Sequence, residues 1–400
     1  MNLALVKGLD RRVGGLACRL LAAWDGVRAW FAPEPSPLAG VRRIVVVKLW
    51  GIGNWALLRP VVRDLRDRWP GASVSVVTLA ANAPLVRDLA DRVHLLRANG
   101  LLRLTRDLVR CVVALRRERA DLCVDFEQFS TAGVLLARCA GVVQRVGFES
   151  GARGRDACLS AVVPFRRDVH ASRSFRDLVE AAGVPPAAYE AGGLEPSDAG
   201  RAEVRRLLGP ASGAGASGAT DDASASALVV LHPGSGDNFP GRRWSSSGFA
   251  AVARHATTRY GARVVVTGSA SEAALCEEIA RAGGATSLAG RLSLDGLVAL
   301  LDEAAVLVAN DTGPVHLASA LHRPVLGLYG PNTPVVYGPL SPGSRVFFKD
   351  LPCSPCLTTD NYRSSRCRLP TCMWAISTGE VTTALGALLR APAVVSRPPP

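Results

Sequence analysis

Short apolar runs of strand length alternate with longer stretches of helical periodicity along most of the chain. Arg42–Lys48 (RRIVVVK) reads as a buried parallel strand, and Gly51-Ile52-Gly53 after it as a tight loop. Asn54–Trp69 then sets Leu57, Leu58, Val61, Val62, Leu65 and Trp69 on one helical face. Ser73–Leu79 and Asp121–Asp125 (DLCVD) repeat the strand pattern. Strand followed by helix, repeated, predicts a doubly wound α/β domain on a mostly parallel sheet. The alternation restarts with a strand at Ala227–Leu231 and a helix at Ser245–Tyr260. A strand follows at Arg263–Thr267 and helices at Ser271–Ala282 and Ser293–Glu303, the last with Ser at the N-cap. Strand Val306–Asn310, helix Pro314–Leu321 and strand Val325–Tyr329 complete the second set. Two Rossmann-like domains are therefore expected, facing a cleft at the carboxyl ends of both sheets, where ligands usually bind.

Other stretches set the boundaries. In residues 1–36, Val13, Leu16, Ala17, Leu20, Trp24, Val27 and Phe31 recur at helical spacing, with Arg12, Arg19 and Arg28 between them. Pro33, Pro35 and Pro37 end that pattern. It fits a helix packed on the first domain, or an interfacial helix on an anionic membrane. Residues 209–226 (GPASGAGASGATDDASAS) are too poor in large apolar groups to hold a core and read as a flexible linker or loop. The expected organisation is an N-terminal amphipathic extension (1–36), a first domain (37–208), this linker (209–226) and a second domain (227–376). A C-terminal helix and Pro-rich tail (377–400) follow.

Composition narrows the partners. Forty-seven basic residues against 34 acidic ones leave a net charge of +13, which suits phosphorylated or other anionic partners. No basic cluster is interleaved with aromatics, so nucleic acid is not expected. The longest apolar runs, such as Ile44–Val47 and Val264–Val266, fall far short of the roughly 20 residues a membrane span needs. Met1–Arg11 lacks an apolar core followed by a cleavage site, which leads to the expectation of a cytoplasmic location with reduced thiols. Six of the ten Cys are scattered (Cys18, Cys111, Cys123, Cys139, Cys158 and Cys276) and read as small core residues.

Four constellations carry chemistry. In VLVANDTGPVH (306–316) a strand ends at Asn310-Asp311, Thr312 is set to cap the next helix and Pro314 fits its first turn. Gly313 allows close approach to the backbone, and a helix start favours an anion such as a diphosphate. His316 lies one turn in as a further donor, whereas Asp311 repels phosphate and suits orienting the loop or binding a sugar hydroxyl. His232-Pro233-Gly234-Ser235-Gly236 is a second strand-to-turn segment, followed by Arg242-Arg243-Trp244, and Arg donates two parallel hydrogen bonds to phosphate. Lys48–Asn54 (KLWGIGN) matches neither the dinucleotide fingerprint nor the P-loop. Cys353, Cys356, Cys367 and Cys372 have zinc-like spacing, and a closed four-thiolate site there would be structural. Free thiols or a disulfide are the other readings of that cluster.

In the order HPGSG (232–236), RRW (242–244), TGS (267–269), SLAGRLSL (287–294), NDTGPVHLASAL (310–321) and PVLGLYGPNTP (324–334), the chain resembles glycosyltransferase family 9. This is the heptosyltransferase family of lipopolysaccharide and cell-envelope synthesis. The resemblance runs from about Val41 to the C-terminal helix. It implies GT-B architecture and an inverting transfer, needing no metal, from a nucleotide diphospho-sugar, often ADP-heptose. The acceptor would be a lipid-linked or core saccharide, with peripheral contact at the cytoplasmic face of the inner membrane. By position, Ser235 and Arg242 would contact donor phosphates, Glu272 would lie near the nucleoside and Leu292 would pack on the base. Asp311, Thr312, Gly313 and His316 would form the diphosphate and sugar site. One departure stands out: Gly53-Asn54 occupies the place of a family Gly-Asp, whose Asp is the expected general base, and Asn cannot take a proton. Glu127 and Asp125, in DFEQFS (125–130), are the substitute candidates, Glu127 preferred, and His170 is a third acceptor-side group. A nucleotide-sugar epimerase of the same fold and a catalytically inactive sugar-nucleotide-binding protein are the alternative readings.

Overall fold

The computed structural model describes residues 14–20, 40–128, 130–150, 154–209, 226–236, 240–358, 365 and 367–390. The chain divides into two units, Met1–Glu190 and Ala191–Pro400.

The first unit runs β1 (Arg43–Val47), α1 (Ile52–Arg68), β2 (Ser73–Leu79), β3 (Arg92–Leu96), α2 (Leu101–Glu118), β4 (Leu122–Asp125), α3 (Ala132–Cys139), β5 (Gln144–Phe148), β6 (Ala161–Val163) and α4 (Ala171–Ala181). Its six strands pair in parallel in the order β3-β2-β1-β4-β5-β6. Val45, Val47, Val77 and Cys123 share one core layer with Cys111 and Leu115 of α2, Leu136 and Ala137 of α3, and Ala140 just after α3. Elsewhere in the unit, Phe126, Phe148, Phe165 and Phe175 pack ring against ring. Residues 14–20, part of the predicted extension, are helical and pack on α3 through Cys18, which shares a small core with Val134 and Cys158. Val13, Trp24, Val27 and Phe31 lie outside the described residues.

The second unit runs α5 (Asp198–Leu208), β7 (Leu228–His232), α6 (Ser246–Tyr260), β8 (Arg263–Val266), α7 (Ala273–Gly283), β9 (Thr286–Ser287), α8 (Leu294–Glu303), β10 (Val306–Asn310), α9 (Gly313–Ala320), β11 (Val325–Tyr329), α10 (Pro334–Tyr337), β12 (Arg345–Phe348), α11 (Thr371–Trp374) and α12 (Thr378–Arg390). Its sheet is again parallel and six-stranded, ordered β12-β11-β10-β7-β8-β9. Ser293 caps α8 as expected, accepting from Gly296 N at 3.0 Å. Helix α12 returns Val381, Ala384 and Leu385 to the core.

The division falls earlier than the 209–226 segment. Residues 198–208, expected to close the first domain, form α5, which belongs to the second unit and packs on α8. Gly200 permits the contact, because a Cβ there would come within 2.7 Å of the Asp295 carbonyl carbon. Glu203 accepts from Ser293 N at 2.8 Å, and Ser197 Oγ donates to Asp295 Oδ1 at 3.0 Å. The boundary between the units therefore precedes the Gly/Ala/Ser-rich segment. Its residues 210–225, like the Pro-rich tail from 391, lie outside the described residues.

Candidate functional site

Strands β8, β7 and β10 are neighbours in register, so the loops leaving their carboxyl ends lie side by side. Asn310, fully buried at the end of β10, joins two of those loops. Its Oδ1 accepts from Trp244 N at 3.0 Å and its Nδ2 donates to Pro233 O at 2.7 Å. That clamp brings the 233–236 turn and the Arg242-Arg243 pair together. Arg242 donates to Asp311 O at 3.2 Å and to Ser235 O, and its Nη1 lies 3.7 Å from Asp311 Oδ2. Arg243 donates to Ser235 Oγ at 3.2 Å and lies 3.6 Å from Glu272 Oε1. Asp311 also accepts from Asn332 Nδ2. Two partners thus engage its carboxylate, in keeping with a loop-orienting role.

Thr312 occupies the N-cap of α9 but does not cap it with its side chain. Its hydroxyl donates to Asn310 O at 3.0 Å instead, which corrects the expected cap. The start of α9 therefore keeps its attraction for an anion without a side-chain oxygen on its first N–H groups. His316 is buried one turn in, its ring edge-on to Tyr337 with centroids 6.0 Å apart.

Glu272 ties the β7 and β8 loops together. It accepts from Ser235 N at 3.0 Å, Gly236 N at 3.1 Å, Ser269 N at 2.9 Å and Ser269 Oγ at 2.8 Å. Gly234 makes room for it, since a Cβ there would overlap the carboxylate. Burial alone would raise the Glu272 pKa, but the hydrogen bonds from Ser269 and Gly236 and the nearby His232 outweigh it and hold the carboxyl below its usual range. His232, hydrogen-bonded to Thr267 Oγ1 at 3.1 Å, is enclosed by protein, and that burial pushes its pKa down to about 4 against the opposing pull of Glu272. Leu292 is half-buried on the turn before α8, and none of these hydrogen bonds reaches that turn.

In the first unit both substitute carboxylates are withdrawn from solvent. Glu127, 2 % exposed, accepts from Leu49 N at 2.6 Å and Trp50 N at 3.0 Å, and lies 3.6 Å from the buried Lys48 ammonium. Lys48 donates in turn to Phe126 O at 3.0 Å. Asp125, 1 % exposed, accepts from Arg155 at 2.9 Å and from Glu127 N at 3.0 Å. A Cβ at Gly133 would sit 2.7 Å from both Asp125 oxygens, so only glycine fits beside that ion pair. The expectation that one of these carboxylates serves as an exposed base meets a physical obstacle: each is buried and engaged in holding its own loop. Asn54 is half-buried in the first turn of α1 beside Gly51, whose φ of 91° favours glycine. Gly53 is buried next to it. His170 is the N-cap of α4, its Nδ1 accepting from Ser172 N at 3.2 Å.

Sequence reasoning missed Asn332, the role of Asn310 as a clamp, and Lys48 as the partner of Glu127. The PNTP run held Asn332, but nothing in its local pattern pointed back to Asp311. Of the clustered cysteines, Cys353 and Cys367 are exposed, Cys356 is half-buried and Cys372 is buried. Among the described residues no three Cys, His, Asp or Glu side chains are set to hold a metal ion. Among those residues, too, no helix is long and apolar enough to cross a membrane.

Residues 108–365 match the family model of glycosyltransferase family 9 (heptosyltransferase). Lipopolysaccharide heptosyltransferase 2 of Escherichia coli (strain K12) is 36 % identical over 113 residues, 27 % of this chain and 32 % of that relative. The aligned sequence thus spans about a third of that relative's length. A family 9 glycosyl transferase from Veillonella parvula DSM 2008 superposes with a TM-score of 0.70 at 20 % identity, covering 89 % of this chain and 99 % of that one. The E. coli ADP-heptose lps heptosyltransferase II gives 0.67 at 21 % identity, covering 87 % and 98 %. These likenesses bear on the fold, which is of the GT-B class. Two parallel Rossmann-like sheets, an arginine pair in the β7 loop that reaches the end of β10, and a family match over most of the chain agree: the protein belongs to glycosyltransferase family 9.

Proposed function

We propose that the protein is an inverting glycosyltransferase that moves a sugar, a heptose by the names of its relatives, from a nucleotide diphospho-sugar to a lipid-linked or lipopolysaccharide-core saccharide. The observation that carries this reading is the meeting of Arg242, Arg243 and the Ser235 turn with the start of α9 at Asp311. In the transfer, an acceptor oxygen bonds to the anomeric carbon as the bond to the diphosphate breaks. The leaving electron pair adds charge to the phosphate. Guanidinium donors and a helix start aimed at that charge stabilise the transition state more than the ground state. Asp125 and Glu127, both buried and engaged, take no proton in this scheme; the acceptor hydroxyl gives up its proton to solvent water as its oxygen bonds to the anomeric carbon. Glu127 positions the 48–54 loop, and leaving-group stabilisation carries the acceleration.

The scheme calls on no metal in the chemical step, and added magnesium or manganese is expected to leave transfer unchanged. A zinc at Cys353, Cys356, Cys367 and Cys372 belongs to the proposal as a structural ion only. One zinc per purified chain supports it; metal-free protein removes it. The expected workplace is the cytoplasmic side of the inner membrane, where a lipid-linked acceptor is held. The test is a panel of ADP-, UDP- and GDP-sugars with purified protein, read by thermal shift and nucleotide release. One donor is expected to raise the melting temperature and to be consumed when acceptor is added. If no nucleotide sugar moves the melting temperature, the reading fails.

A further inference from the structure

Helix α2 carries a surface that nothing in sugar transfer uses. Its inner side is anchored by the buried Asp107, Cys111 and Leu115. Its outer side presents Leu102 at 87 %, Val109 at 58 % and Val113 at 42 % exposure. At about 100° per residue these three fall within about 40° of one another, forming one stripe. Arg103, Arg106, Arg110 and Arg117, all exposed, line one flank, and Arg116 lies on the other. Both carboxylates of the helix are turned away and engaged. Asp107 pairs with Arg97 at 2.8 Å, and Glu118 accepts from Ser75 at 2.7 Å and lies 3.3 Å from His94.

An aliphatic stripe bordered by arginines, with no accessible anion, is poorly suited to water. It matches the boundary of an anionic bilayer, where guanidinium groups meet lipid phosphates while the aliphatic groups enter the acyl edge. A protein interface of this size would be expected to carry aromatic anchors, and α2 has none. Helix α3 shares the core layer of α2. The 14–20 helix packs on α3 and adds exposed Leu16 and Leu20.

We propose that the outer face of α2 docks the protein on anionic lipid. The inference deepens the lipid-linked acceptor reading and rests on it for purpose, but its test needs no transfer. Full-length protein is sedimented with vesicles of phosphatidylethanolamine and phosphatidylglycerol, and with pure phosphatidylcholine vesicles. Binding is expected to the anionic vesicles only, weakening as salt rises. Each arginine near an anionic leaflet contributes about fivefold to partitioning. R103Q/R106Q/R110Q is therefore expected to lose about 100-fold, and L102S/V109S/V113S about tenfold. Because these side chains are exposed, both variants should melt as wild type does, which separates lost docking from lost folding. Equal binding to neutral vesicles, no vesicle binding, recovery of an acidic protein without vesicle binding, or wild-type binding by both folded variants each overturns the proposal. A donor-induced thermal shift retained by a protein that ignores vesicles overturns this surface and leaves the transfer reading standing.

Discussion

Replacing Glu127 tests whether its carboxylate is a scaffold or a base. In the Glu127→Ala variant the Lys48 ammonium, 2 % exposed, keeps only the Phe126 carbonyl of the contacts described above. Breaking a buried pair from one side costs about 3–5 kcal/mol, because the remaining charge is uncompensated. Leu49 N–H and Trp50 N–H lose their acceptor as well, a cost that overlaps the first. A total near 4 kcal/mol, at about 2–4 °C per kcal/mol for a unit of this size, predicts a melting temperature lower by roughly 8–16 °C. Glu127→Gln keeps an acceptor oxygen and the same volume but loses the ionic attraction at 3.6 Å. It should cost about 1–2 kcal/mol, since a hydrogen bond survives. Adding Lys48→Met to Glu127→Gln should recover part of the loss, because neither charge is then stranded. The assay is urea and thermal denaturation by circular dichroism, with transfer measured well below the transition. There the Gln variant should retain most of its activity. If Glu127→Gln melts within 1 °C of wild type, yet transfer falls by about 100-fold or more, the residue is a general base. The burial argument would then be wrong.

Three further outcomes follow from the second unit and its neighbour. Arg242→Ala should weaken donor binding by about 10- to 100-fold, the scale of a lost charge-assisted hydrogen bond, and Arg242→Lys should fall between, as measured by calorimetric titration. The stability that His232 contributes is fully present above its ordinary value of 6.5 and is lost as pH falls through about 4, because the unfolded chain binds the extra proton. Glu272, held below its ordinary range, acts with the same sign at lower pH. Urea midpoints should therefore fall between pH 7 and 4, with about 3 kcal/mol of stability lost from His232, and His232→Gln should flatten that fall. Gly133→Ala should destabilise the first unit by about 2–4 kcal/mol through overpacking against Asp125 and Val47. An unchanged denaturation midpoint would contradict the crowding described there.

The parallel α/β architecture was legible because the central strands are dense in Val, Leu and Ile and the helices keep their apolar stripe. Strands β3, β5, β6, β9 and β12 were not anticipated. They are short or carry polar residues, as in Arg92–Leu96 and Arg345–Phe348, and edge strands need only one buried face. The early division between units escaped notice because α5 looks like any amphipathic helix. Its attachment to α8 depends on Gly200 and Glu203, two residues whose partners lie about 90 positions away. The grouping of Ser235, Arg242, Glu272 and Asp311 was legible from local strand-to-turn chemistry and the family resemblance. The engagement of Asp125 and Glu127 was not, since a strand-end carboxylate has the same sequence signature whether it faces solvent or a buried Arg155 or Lys48.

Asn310 links Trp244 to Pro233 from a strand 66 and 77 residues further along the chain. The 233–236 turn is therefore expected to acquire its shape late in folding, after β7 and β10 have paired. Its backbone amides should exchange with solvent only when the second unit opens as a whole. A single amide side chain thereby couples the shape of the turn to the integrity of the sheet beneath it: half-folded protein would hold the same residues without the arrangement the proposed donor site needs.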